Sequence, residues 1–448
     1  MKQYDAIVIG GGILGCMAAR NLRRWNISTA LLEQEDDVCR GITRANSAIV
    51  YAGYDNKPGS LKAELTVRGN ANMGLLAEEL DVPFRRCESL LITYDAKAAA
   101  KLEKKLQNGI QNGVPGLRLL TGPEAEAMEP GVKKGIKAAL YAPTTGTVNP
   151  WKLGIGAFEN ALQNGAEAFL NTKVTGIRRT DRGFVVETNG DSFSCKMVFN
   201  CAGLLADKVQ ELTAPSSVRL QLDSAEYLVF DTAVKKPDRV IFVQGETCGK
   251  GITAIPCTEG NLLISGIRKP MDGPYGTTAQ GLEELQLAVQ DLLPEIEMGQ
   301  VIRSFGAVRP NPHRENGENV GDFCIENPVP GFYSLIGIKT PGLTVSNELT
   351  EHLAKQAAAY LEAERNPAFN PCRKAIRKQE TPDYYEIICQ CGHITRGEIL
   401  EAIRRGATTV EAVKRRVDTG MGRCQGSRCG WRIAKILKEA GVNPEPLF

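Results

Sequence analysis

The chain opens on polar Lys2-Gln3, and within a few residues reaches an unbroken apolar run, Ala6-Ile7-Val8-Ile9. A short run without alternation suits a parallel strand covered on both faces. Glycines follow at 10, 11, 12 and 15, then helical spacing from Cys16 to Trp25. A second apolar run, Thr29-Ala30-Leu31-Leu32, ends at Glu33. This pattern predicts a β-α-β unit. Helical spacing recurs over about 61–80, 96–112 and 150–164. Short strands are expected at Lys173–Arg179, Gly183–Thr188 and Met197–Phe199. The stretch 225–310 reads mostly as strands, among them Tyr227–Phe230, Val240–Val243 and Leu262–Ser265, with one helix near 279–292. A last apolar strand, Phe332–Ile336, leads through Gly337–Gly342 into a helix that runs to about Glu364.

The first unit carries chemistry. Gly10-Gly11-Gly12-Ile13-Leu14-Gly15 fits G-x-G-x-x-G between a strand and a helix. Gly10 permits the tight turn, Gly12 lets backbone approach a pyrophosphate, and Gly15 lets helix and strand pack closely. The helix start presents free N–H groups and a partial positive charge to phosphate. Glu33 stands where a carboxylate hydrogen-bonds a ribose diol and repels a 2′-phosphate.

Composition narrows the class. The 448 residues include 46 glycines and only 6% aromatics, and the net charge is +2. Near-neutrality gives no drive toward nucleic acid or an anionic membrane. No apolar run approaches the ~18 residues of a membrane helix. No cationic leader precedes the first strand, so a cytoplasmic protein without a secretory signal is expected, with membrane association only through a partner. Of 13 cysteines, nine are scattered: Cys16, Cys39, Cys87, Cys195, Cys201, Cys248, Cys257, Cys324 and Cys372. These are expected to be small, mostly buried residues. Four cluster near the C-terminus and read first as metal ligands.

Three blocks resemble the D-amino-acid-oxidase-like superfamily of FAD oxidoreductases over about residues 4–365. They are Thr43-Arg44-Ala45-Asn46-Ser47-Ala48, Asn200-Cys201-Ala202-Gly203-Leu204-Leu205-Ala206-Asp207 and Gly337-Ile338-Lys339-Thr340-Pro341-Gly342-Leu343-Thr344. The resemblance implies FAD, with contacts at Gly10, Gly12, Ile13, Leu14, Gly15, Glu33, Thr43, Asn46, Ser47, Val174, Ala202, Gly203, Gly337, Pro341, Gly342, Leu343 and Thr344. It also implies an α/β fold: a Rossmann-like FAD-binding domain (about 1–80, 150–215 and 325–365) with an inserted strand-rich α+β substrate domain (about 81–149 and 216–324). A linker is expected at 366–383, and a small C-terminal helical iron–sulfur domain at 384–448. No second G-x-G-x-x-G opens another β-α-β unit, so a separate NAD domain is not expected.

Within that superfamily, Ala52-Gly53 followed by Lys57-Pro58-Gly59-Ser60-Leu61-Lys62-Ala63 resembles the anaerobic glycerol-3-phosphate dehydrogenase large subunit and the L-2-hydroxyglutarate dehydrogenases. Both pass a hydride from a secondary alcohol to FAD, which requires a base at the hydroxyl. Those relatives usually place histidine before Ala-Gly, whereas this chain has Tyr51, whose reference pKa of ~10 is poorly matched to that task. Of the three histidines, His313 is the candidate replacement, beside the reading of a solvated loop residue. Arg309 matches the family's grip on a substrate carboxylate or phosphate, a role that its planar fork suits. A structural bridge between domains is the other reading. Lys339 either adds charge at the substrate anion, stabilises reduced flavin, or is solvated. Three functions stay open: oxidation of glycerol 3-phosphate or a 2-hydroxy acid, oxidation of an amine or imino acid as in opine-type oxidases, and a non-catalytic electron-transfer subunit.

The tail carries Cys389-Gln390-Cys391 and Cys424-Gln425-Gly426-Ser427-Arg428-Cys429, with helices expected at Arg396–Arg405, at Val410–Val417 and after Cys429. Four thiolates suit [2Fe–2S] or zinc, although C-x-C is less typical of zinc. Residues 387–440 resemble the bacterioferritin-associated-ferredoxin-like domain, which implies [2Fe–2S] on Cys389, Cys391, Cys424 and Cys429. Electrons would then pass to another subunit, a second flavoprotein or a quinone-linked one. Arg404, Arg405, Lys414, Arg415 and Arg416 either steer that acidic partner or form a solvated helix face.

Overall fold

The computed structural model describes residues 1–245, 250–266, 268–271 and 276–443; Cys248 lies outside them. The opening strand spans Lys2–Ile9 and pairs in parallel with Thr29–Leu32 on one side and Ser192–Asn200 on the other. Ala6, Ile7 and Val8 are fully buried, one face of the strand packed on helices and the other on the strands Val174–Thr180 and Gly183–Thr188. Helix Ile13–Leu22 crosses between the first two strands, and Phe332–Ile336 adds in parallel beside the end of Ser192–Asn200. The glycine turn therefore sits at the carboxyl ends of parallel strands, where open α/β sheets bind ligands.

A second, larger sheet holds Ser89–Thr93, Arg118–Thr121 and Ala138–Ala142 together with strands from 218 to 314. Its spine is a long antiparallel pair, Val218–Phe230 against Val301–Arg314, in register from Val218 opposite Arg314. The sequence pattern shows only fragments of these two strands, because their burial is irregular over much of their length. His313 lies on the second of them rather than on a loop. A small sheet of Ile49–Val50, Phe84–Arg86 and Gly146–Val148 joins the two halves.

The tract 366–383 is a strap laid along the nucleotide-binding half. The Arg373 backbone N–H donates to Glu79 O at 2.7 Å, and the Pro371 carbonyl accepts from buried Arg20 at 3.1 Å. Beyond it, helices Arg396–Arg404, Val410–Val417 and Gly430–Glu439 close around a core of Ile399, Val413, Ile433 and Leu437. No helix among the described residues is long and apolar enough to cross a membrane.

Candidate active site and cysteine centre

The glycine turn has the shape its spacing demands. Gly10 adopts φ +98°, and a Cβ there would lie 2.6 Å from Cys201 O. At Gly15 a Cβ would sit 1.8 Å from Gly10 O, so the helix reaches the strand only with glycine. A Cβ at Gly12, by contrast, would meet only the Thr43 hydroxyl at 3.5 Å, which leaves a backbone cradle open to a ligand. Thr43 Oγ1 accepts the Ile13 N–H at 2.9 Å at the start of a helix with no side-chain cap. The Glu33 carboxylate accepts from the N–H groups of Gly11 and Glu35, and burial raises its pKa despite those bonds. Ala202 and Gly203 arrive beside the turn on the far side of Cys201, with Gly203 at φ +60°. Val174 opens its strand two residues after Thr172, whose N–H donates to Glu33 O at 2.8 Å.

The other two blocks meet one another. Thr344 Oγ1 accepts the Tyr51 N–H at 3.0 Å, and the Ser47 hydroxyl lies 3.4 Å from that of Tyr51. Asn46 binds the carbonyls of Ile42 and Thr43 and the N–H of Ala48, holding its own loop in shape. Gly337 sits at φ +62° with Pro312 at 2.6 Å from its would-be Cβ, Pro341 follows a cis peptide bond, and Gly342-Leu343-Thr344 begins the helix Gly342–Tyr360. A dinucleotide reaching from Glu33 past Gly12 and Thr43 to Tyr51 and Thr344 therefore has backbone and hydroxyl groups along its path.

Four cations influence one another next to this end. Arg309 stands opposite Asp223 in the long strand pair. Burial, then Arg268, lowers its pKa to about 10, and its Nε is buried without a hydrogen-bond partner among the described residues. Burial, then Arg309, lowers Lys339 to about 8, although its Nζ donates to Asn319 Oδ1 at 2.7 Å. Lys62 falls to about 8 for the same two reasons. The nearby carboxylates are already engaged: Asp322 accepts from the N–H groups of Leu61 and Lys62, and Asp223 from Asn311 at 2.8 Å. His313 has both ring nitrogens occupied, by Asn311 O at 3.0 Å and the Asn319 amide at 3.2 Å. Sequence reasoning misses Lys62 and Arg268 as site residues. Lys62 lies inside the Lys57–Ala63 block, and nothing in the local pattern marks Arg268.

The tail thiols fall into two pairs. The sulfurs of Cys391 and Cys424 are 4.0 Å apart, while Cys389 and Cys429 are both buried and hydrogen-bond each other. A Cβ at Gly422 would lie 2.5 Å from Cys391 Cβ, and Gly420, Gln425 and Gly426 take positive φ to fold the loop around the sulfurs. Burial pushes the Cys424 thiol up, but backbone N–H groups of Gly426 and Arg428 outweigh it and leave the thiol below its ordinary range. Among the described residues no group of three or more histidine, cysteine or carboxylate side chains converges for a metal ion. Cys389, Cys391, Cys424 and Cys429, brought together by the two loops, would hold a [2Fe–2S] cluster, which would supply one-electron transfer.

Residues 5–356 match the model of the FAD dependent oxidoreductase family. The chain belongs to that family. Residues 387–439 match the BFD-like [2Fe–2S] binding domain, so this flavoenzyme carries FAD and a [2Fe–2S] cluster. It is 38% identical to a glycerol 3-phosphate dehydrogenase of Caloramator mitchellensis, over 98% of this chain and 95% of the relative. It is 28% identical to an L-2-hydroxyglutarate dehydrogenase of Indibacter alkaliphilus, over 72% of this chain and 91% of the relative. In fold it is similar to an L-α-glycerophosphate oxidase of Mycoplasma pneumoniae, with TM-score 0.76 and 24% identity over 83% of this chain and 98% of that one.

One reading of the flavoenzyme's sequence needs correction here. The basic residues of the tail do not form a free face: Arg415 and Arg416 are buried and bind Asp37, and Arg405 binds Glu159. Only Arg404 of that group remains largely exposed, at 67%. The helix pattern alone cannot show this, because the partner carboxylates lie hundreds of residues away. The scattered thiols are mostly buried, as expected: Cys16, Cys39, Cys87, Cys195, Cys201 and Cys324 are buried, Cys257 is half-buried, and Cys372, on the strap, is exposed.

Proposed function

We propose that this flavoenzyme oxidises glycerol 3-phosphate, and that electrons leave through the cluster to a partner protein. The observation that carries the substrate reading is the gathering of Lys62, Arg268, Arg309 and Lys339 around engaged carboxylates, an excess of positive charge suited to a doubly charged anion. FAD, when bound, accepts a hydride from the alcohol carbon, and the cluster accepts single electrons. Arg309 holds the phosphate, where burial makes its hydrogen bonds worth more than they are in water, and the exposed Arg268 adds charge at the rim. Lys62 completes the anion site. With tyrosine at 51 and His313 tied at both nitrogens, the proton of the reacting hydroxyl goes to Lys339 Nζ. Its pKa of about 8 suits a base near neutral pH. Cys391 and, at 61% exposure, Trp431 lie at the protein surface beside the cluster loops, which supports electron delivery outward.

The test is anaerobic reduction of the bound flavin by glycerol 3-phosphate, L-2-hydroxyglutarate and secondary amino acids in turn. Glycerol 3-phosphate is expected to bleach the flavin and then reduce the cluster. Bleaching by the amino compounds alone overturns the reading. Lys339→Met is expected to slow flavin reduction about 10²–10⁴-fold, with less effect on substrate affinity.

A further inference from the structure

Asp37 lies four residues beyond Glu33, in the loop that folds back under the glycine turn, where the Cys39 N–H donates to Gly11 O at 2.8 Å. Its carboxylate is fully buried, yet its charged partners come from the cysteine module. Arg416 donates to it twice, at 2.8 and 2.9 Å, and Arg415 once at 2.7 Å, all from helix Val410–Val417. A second anchor stands beside it. Glu159, in helix Pro150–Gln163, accepts from Arg405 of the module at 2.8 Å and from Arg373 of the strap at 2.9 Å. The same helix packs against the loop so tightly that a Cβ at Gly154 would lie 2.3 Å from the Cys39 sulfur. Loop 33–44 is thus clamped between the dinucleotide turn on one side and the module on the other.

We propose that docking of the cysteine module and binding of FAD reinforce each other through Asp37. A buried carboxylate without its counter-charge is costly, so the loop keeps its shape only while the arginines are in place. If the module lifts, Asp37 and Glu159 must reach water, and the bonds tying Glu33 and Cys39 to Gly11 are given up with them. Conversely, a bound dinucleotide orders this loop and presents Asp37 to Arg415 and Arg416. Such coupling acts equally in both directions. It makes the tail a brace behind the dinucleotide loop rather than a domain on a tether.

The proposal does not depend on the substrate and is tested without turnover, on full-length, cluster-loaded protein from which only FAD has been removed. FAD is titrated by quenching of flavin fluorescence. Asp37→Asn is expected to weaken binding at least tenfold, and Asp37→Glu, which keeps the charge, to weaken it less. Arg404→Gln, at an exposed position of the same module, is expected to leave it unchanged. In the wild-type protein, amide hydrogen exchange in Val410–Val417 is expected to slow at least tenfold when FAD is added. An FAD affinity within twofold of wild type in a folded Asp37→Asn protein overturns the coupling. So does module exchange that is indifferent to FAD, and that measurement decides alone if the variant does not fold.

Discussion

Two clusters of arginine, lysine and carboxylate are built from the same side chains and do opposite things. At the module boundary, Arg373, Arg405, Arg415 and Arg416 meet Asp37 and Glu159 directly, and the two carboxylates are at most 5% exposed. Beside the long strand pair, burial and then the neighbouring cations lower the proton affinity of Arg309, Lys62 and Lys339, while the two nearby acids, Asp223 and Asp322, accept from amide and backbone N–H groups. Every charge of the first cluster has an opposite charge within the chain, although Arg415 Nε and Nη1, Arg416 Nε and Glu159 Oε1 are buried without a hydrogen bond among the described residues, and the cluster acts as an adhesive. The second is incomplete, and what would complete it is an anion from outside. Burial alone does not distinguish a site from a joint; whether the charges already have partners does.

The largest effect is expected at the incomplete cluster. Arg309→Met should lower kcat/KM for the substrate about 10³-fold, because removing one side of a buried charged pair costs about 4 kcal/mol. Arg309→Lys should recover only part of it, since a point charge replaces a planar fork. Steady-state kinetics read both, and a full rescue by lysine would show that charge without geometry suffices.

The complete cluster should respond in stability. Asp37→Ala leaves Arg416, with no exposed side-chain surface, the Ala412 carbonyl and, as counter-charge, the more distant Glu159 at 3.7 Å. It should cost about 3–5 kcal/mol in urea unfolding monitored by the module's helices. Replacing Asp37, Arg415 and Arg416 together by leucine or methionine should cost far less, because no charge of that group is stranded. If the single and triple variants are equally destabilised, the arginines act by packing and the comparison fails.

pH sharpens the contrast further. An anion needs Lys62 protonated, and that lysine titrates at about 8 in the free site. Anion affinity is therefore full below about pH 7 and should fall, as a rising KM, when pH passes about 8 toward about 10. Lys339 must be neutral to accept a proton, so flavin reduction at saturating substrate should instead rise toward the same pH. The boundary cluster predicts no such loss, since Asp37 outweighs burial and leaves Arg416 with a net shift upward. The smallest effect belongs to Arg404→Gln. Arg404 itself is exposed, its ion pair with Glu401 spans one helical turn, and Glu401 keeps Arg405, so removing the pair should change stability by less than about 0.5 kcal/mol.

Much of the nucleotide-binding half is legible in the chain, because its signals are local. Gly10, Gly12 and Gly15 are read from spacing, Glu33 from its place after an apolar run, and Cys389, Cys391, Cys424 and Cys429 from two short motifs. Arg309 is legible only by resemblance, since one arginine in a strand-rich segment has many uses. Lys62 and Arg268 stay hidden because their meaning lies in each other's company. The basic tail helix marks the limit of local reading. A row of arginines looks like a solvated face until a carboxylate from the far end of the chain is found against it.

Sequence by itself determined the β-α-β unit, the glycine turn and the two cysteine motifs, since steric demands on glycine and the spacing within each motif act over a few residues. Tertiary structure alone decided which charges are satisfied. That depends on which distant residues the fold brings within about 3 Å, a distance over which a buried ion pair is made or missed.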